Sequence, residues 1–97
     1  MRLKIRRSSG IVSISMEGKL DGSSAWQVKD ALEDLCRISR KSKLYLDFNR
    51  VRQWEHFGVV ILAKSLRSIK THFHEIRLNG MDETLLSLFQ GFGFSPS

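Results

Sequence analysis

Cysteine, proline and long apolar runs are scarce in this chain, and each scarcity excludes something. The one cysteine, Cys36, rules out an internal disulfide framework. The one proline, Pro96, lies in a short tail expected to fray over about 95–97, and no linker, repeat or low-complexity segment precedes it. The longest apolar run, Val59-Val-Ile-Leu-Ala63, is far too short to span a bilayer. Near the N-terminus, Arg and Lys alternate with Leu and Ile instead of preceding an apolar block, so a signal-peptide pattern is missing and a cytoplasmic location is expected. Familiar catalytic groupings are missing too: no phosphate-cradling glycine loop with a lysine, no Gly-x-Ser-x-Gly elbow, no zinc spacing of Cys and His. Gly91-Phe-Gly-Phe94 is too short to bind a nucleotide. No enzymatic activity and no cofactor are expected.

The 97 residues suffice for one domain spanning 1–97, and the 41% hydrophobic content is enough for a core. The formal charge of +6 raises nucleic acid or an anionic membrane as partners. The basic residues are nevertheless dispersed over several elements, from Arg2, Lys4 and Arg6 to Lys64, Arg67 and Lys70, with no aromatics interleaved. Dedicated nucleic-acid binding is therefore not expected, and a membrane enters only indirectly.

Periodicity supplies the elements. Leu3 and Ile5 alternate with basic residues, and Val12, Ile14 and Met16 with Ser13, Ser15 and Glu17, which predicts an antiparallel hairpin about Ser8-Ser-Gly10. Gly18-Lys-Leu-Asp-Gly22 ends the second strand. Ser24 with Gln27 reads as a capping box, with Ser23 as the alternative cap. The helix behind it carries Ala25, Val28, Leu32, Leu35 and Cys36 on one face. Leu44 to Phe48 is nearly continuous in apolar character, as in a central strand covered on both faces. Polar residues from Asn49 onward read as a loop, and a second helix is expected from about Glu55 to Thr71. Ile76 and Leu78 mark a further strand. Asp82 caps a short third helix that Gly91 ends, with Phe92 and Phe94 folding back onto the core. The order strand, strand, helix, strand, helix, strand, helix predicts an α/β domain: a mixed, mostly parallel sheet of four to five strands with crossover helices and an N-terminal hairpin.

Ligands of such sheets gather at the carboxyl ends of the strands. There the chain places Asp21, Ser23, Asn49, Glu55, His56, Phe57 and Gly58. The first turn of the second helix, with its unpaired N–H groups, is a natural presenting surface. His56 reads as a contact residue or as an ordinary loop histidine; Phe57, if exposed, is an aromatic anchor; Trp54 is expected to pack inward. Glu55 and His56 act as an acid–base pair only inside a pocket. Asp21 and Asp47 accept backbone N–H bonds in the plainest reading. His72 and His74 lack a third ligand, so no metal is expected. Cys36 reads as a small buried hydrophobe.

Three motifs and a C-terminal segment, in this order, resemble the STAS domain, the fold of bacterial anti-sigma-factor antagonists and of the cytosolic tails of sulfate transporters. Gly18-Lys-Leu-Asp21 is similar to the family's Gly-Glu-Leu-Asp. Leu44-Tyr-Leu-Asp-Phe-Asn-Arg-Val51 resembles its apolar strand, Asp, loop and Val. Trp54-Glu-His-Phe-Gly58 lies where the family has an apolar residue followed by Asp-Ser-Ser-Gly, and Leu86-Ser-Leu-Phe-Gln-Gly-Phe92 resembles its last helix. In the antagonists, a kinase that is also the anti-sigma factor phosphorylates the first of those serines and thereby blocks docking. The resemblance puts His56 at that acceptor position, Phe57 at the second serine and Glu55 at the aspartate. It implies a non-enzymatic module that docks to a kinase-type anti-sigma factor or related ATPase without the serine switch. It also admits an accessory subunit of a membrane transport ATPase. Basic nucleic-acid binding is the third reading.

Overall fold

In the computed structural model, which describes residues 1–38 and 42–94, alternation becomes a sheet. Strands β1 (Arg2–Ser8) and β2 (Ile11–Leu20) form the expected hairpin, with Ser8 paired to Ile11. Ser9 and Gly10 both take positive φ (46° and 80°), the backbone of a two-residue type I′ turn whose twist matches that of the strands. Helix α1 (Gly22–Ile38) then crosses to β3 (Lys43–Trp54), which lies parallel to β2. Helix α2 (His56–Ile69) and a short 3-10 turn (Lys70–His72) lead to β4 (Glu75–Asn79), parallel to β3. Helix α3 (Glu83–Gly91) follows, capped by Asp82, whose carboxylate accepts the Leu85 N–H at 2.8 Å. Among the described residues the sheet has four strands, in the order β1-β2-β3-β4.

All three helices bury their apolar stripes on one face of this sheet. Val28, Leu32, Leu62 and Leu66 meet Ile14, Met16, Leu46 and Phe48 in a single core. Phe94 is buried as expected, in an edge-to-face series with Phe89 and Phe48 at centroid separations of 6.2 and 5.6 Å. Among the described residues, no helix covers the other face. On it Arg2, Lys4 and Arg6 stand beside Ser13 and Ser15 of β2 and Tyr45 of β3, around an open trough of about 580 Å³. This corrects the expectation that β3 is covered on both faces. Leu44, Leu46 and Phe48 are buried, but Tyr45 and Asp47 point the other way, with the Arg77 guanidinium 5.4 Å from the Tyr45 ring centroid.

The strand reading also ends too early. Asn49–Trp54 is not a loop; it is the second half of β3. Those residues pair in parallel with Glu17–Leu20 across two register shifts, beside a Gly18 with φ of +118°. A partner strand remote in sequence holds extended a segment whose own composition reads as a turn.

Candidate functional site

The parallel register carries β2 and β3 out of the sheet side by side, with Leu20 opposite Trp54. The Glu55 N–H donates to the Leu20 carbonyl at 2.8 Å, so α1 and α2 start at neighbouring points. Gly58 makes the approach close. A Cβ there would stand 2.7 Å from the Asp21 carbonyl carbon and oxygen, a distance no real side chain tolerates.

The cap of α1 differs from the sequence reading. Ser24 with Gln27 is not the capping box, and Ser23 is not the cap. The cap is Asp21, whose Oδ1 accepts the Ser24 N–H at 2.9 Å, while Ser24 Oγ accepts the Asp21 N–H at 2.8 Å. This is a capping box shifted by one turn, with serine as the reciprocal partner. The Ser24 hydroxyl donates in turn to the Lys19 carbonyl at 2.7 Å. Gln27 instead reaches the Met1 carbonyl at 3.0 Å. Buried and committed, Ser24 is not offered to a modifying enzyme, whereas Ser23 is exposed.

Hydrogen bonds from the Ser24 amide and hydroxyl, with a smaller attraction from Lys19, hold the Asp21 carboxyl below the usual carboxylate range. A depressed native value means that the cap stabilises above about pH 4, where an unfolded aspartate is ionised, and that this stabilisation is lost as pH falls through the native value. In an NMR titration the Asp21 carboxyl carbon is expected to have a midpoint below that of aspartate in a short peptide, and exchange of the Ser24 amide should accelerate as it protonates. A midpoint at or above the peptide value would remove the cap from this account.

Helix α2 begins differently. Glu55 occupies its cap position but gives no side-chain cap bond; its carboxylate lies 3.5 Å from Lys19 Nζ. The first-turn N–H groups of α2 are thus left to solvent or to a partner. Glu55 and His56 are both exposed, without the enclosure an acid–base pair requires. Trp54 is half-buried against the core. Phe57 is 68% exposed. Its ring lies over Gly22, where an added Cβ would meet Cδ2 and Cε2 at 3.0 Å, with Ile61 Cδ1 at 3.9 Å.

One turn along α1 from Gly22 stands Trp26, 52% exposed, with Lys29 Nζ 4.1 Å from its ring centroid. The sequence carries a signal for Trp26 that the list of candidate residues lacks: it lies outside the stripe of Ala25, Val28, Leu32 and Leu35, where a large aromatic has no core to fill. The corner therefore joins Asp21, Glu55, His56, Phe57 and Gly58, with Ser23 exposed beside them. Asn49 stands apart. It is five residues before Trp54 along β3, where its amide group donates to Asp47 at 2.7 Å and its side chain fills the space above Gly80. Elsewhere, burial, reinforced by Glu33, pushes the Cys36 thiol up, away from nucleophile behaviour. Among the described residues no cluster suits a metal ion, and no helix is long and apolar enough to cross a membrane.

The model of the STAS domain family matches residues 2–97. This chain belongs to that family. The fold is shared with RsbS of Moorella thermoacetica (TM-score 0.74, 18% identity, 98% of this chain and 80% of that one). It is shared equally with the anti-sigma factor antagonist SpoIIAA in its unphosphorylated form (TM-score 0.73, 17% identity, 95% and 81%). A third structure, of Mglu, contains a similar unit (TM-score 0.72, 22% identity); 82% of this STAS chain matches it but spans only 20% of the Mglu chain. No curated protein matches the sequence. These likenesses show that the fold is shared.

Proposed function

We propose that this STAS domain is a cytoplasmic, non-enzymatic docking module, which binds a kinase-type anti-sigma factor or a related ATPase through the corner at the start of α2. The observation that carries this reading is Phe57, an aromatic left 68% exposed on the first helical turn, over a glycine. Burying such a ring on a partner removes apolar area from water without first disturbing the core. Trp26 extends the apolar shelf, and Asp21, Ser23, Glu55 and His56 supply a polar rim around it. Asn49, lying elsewhere, is not included.

His56 has no hydroxyl, so docking is not switched by serine phosphorylation at the family's position. The test is affinity capture from the native cell, followed by incubation of the captured kinase with ATP. Wild-type protein is expected to gain no phosphate within residues 54–58, and His56→Ser to become phosphorylated and then to release its partner. Phosphate on the wild-type segment refutes the switchless reading. Capture of a transport ATPase in a membrane fraction moves the assignment to an accessory subunit, because the same corner would serve both.

A further inference from the structure

Strand β1 ends the sheet. β2 pairs with one of its edges, and among the described residues no strand pairs with the other. Every second residue of an edge strand turns its N–H and C=O away from the sheet. Along this edge the side chains sort by face. Arg2, Lys4 and Arg6 project into the trough on the helix-free side. Leu3 and Ile5 point to the helix side, opposite Met16 and Ile14. Ile14 is fully buried, yet Ile5 remains 42% exposed, because it lies at the edge of the helical cover. Arg2 is 3.9 Å from Glu17, whereas Lys4 and Arg6 make no ion pair among the described residues.

We propose that β1 is a docking edge for an extended peptide that alternates acidic and apolar residues and adds to the sheet as a fifth strand. Strand geometry sets the match. Side chains on one face of a strand repeat about every 6.7 Å, so Arg2, Lys4 and Arg6 meet acidic residues at alternate positions of an extended partner one for one. The intervening apolar residues of that partner fall on the other face and cover Ile5. Opposite charges directly across a strand pair attract and like charges repel, which selects the occupant. A second copy of β1 would set this row of cations against itself. Single-stranded nucleic acid needs aromatic faces for its bases. Among the described residues Tyr45 is the one ring lining the trough, and Arg77 already lies over it. On the inner strands Glu17 is paired with Arg50 at 3.3 Å and Asp47 adds a second carboxylate, so the cations that face a strand added outside β1 are those of β1 itself.

The probe is a labelled, end-blocked seven-residue peptide alternating Glu and Val, titrated into the full chain. Beside it run a peptide of the same composition with Glu and Val in two blocks, an alternating Lys–Val peptide and oligo(dT). The alternating acidic peptide is expected to bind selectively, to weaken as salt rises, and to bring new amide protection to residues 2–8. Lys4→Glu combined with Arg6→Glu should weaken it roughly ten-fold or more; Lys64→Glu, an exposed charge reversal on α2, should not. If the double reversal fails to fold by circular dichroism, Lys4→Gln with Arg6→Gln takes its place, with an expected loss of about three-fold. Affinity unchanged in the folded variant, protection arising on β4 instead, or equal binding of the block peptide overturns the proposal. So do tighter binding of oligo(dT) through the same residues and dimerisation through β1. The inference uses no residue of the α2 corner, which begins beyond the Leu20–Trp54 pair.

Discussion

Replacing Phe57 by alanine is expected to weaken partner binding by roughly thirty-fold or more and to leave folding almost untouched. The first half follows from what exposed aromatics do at interface centres, where truncation commonly costs about 2 kcal/mol or more, a factor of about thirty in affinity. The second half follows from exposure. The ring sits on Gly22 and near Ile61 but remains 68% in solvent, so its loss should change stability by about 0.5 kcal/mol or less. The pair of measurements separates recognition from architecture: titration calorimetry on the captured partner, and thermal unfolding of the free domain. Trp26→Ala should follow the same pattern with a smaller loss, since Lys29 already covers one face of its ring. Unchanged affinity in Phe57→Ala would remove the corner from the interface.

Gly58→Ala should do the opposite, damaging the fold first. The added methyl would meet the Asp21 backbone at 2.7 Å, and a backbone cannot step aside as a flexible side chain does. Overpacking of this kind costs about 3 kcal/mol, which for a domain of this size lowers the melting temperature by roughly 15 °C. The two helix starts must part to relieve the clash, so Phe57 leaves Gly22 and binding falls as well. Gly91→Ala is the control. A Cβ at Gly91 finds nothing within 4 Å, and its effect should stay within about 0.5 kcal/mol. If Gly58→Ala melts with wild type, the close approach of α2 to Asp21 is not needed to hold the corner.

Legibility divided along physical lines. Val12, Ile14 and Met16 announced a half-buried strand, and the Asp82 cap of α3 was visible because its hydrogen bond spans only three residues. The α1 cap was misplaced by one turn because Asp21 and Ser24 are both good capping residues, and local chemistry alone does not rank them. What ranks them is the Glu55 N–H on the Leu20 carbonyl and Gly58 against Asp21, which fix where the chain leaves β2. Asn49–Trp54 was read as a loop because its polar composition suits one. Pairing with the second half of β2 keeps it extended, and so removes Asn49 from the corner. The basic residues looked dispersed along the chain; the two-residue repeat of the strands gathers Arg2, Lys4 and Arg6 on one face.

By itself, the amino-acid order determined the kind, sequence and inner faces of nearly every element, and with them the α/β class and the family likeness. Those properties rest on hydrophobic periodicity and short-range caps, which act over a few residues. Tertiary structure alone decided that Phe57 and Trp26 stand in solvent, that Asn49 stands apart, and that one face of the sheet is left without a helix among the described residues. Exposure depends on which distant segments arrive to cover a side chain, and no local pattern carries that information.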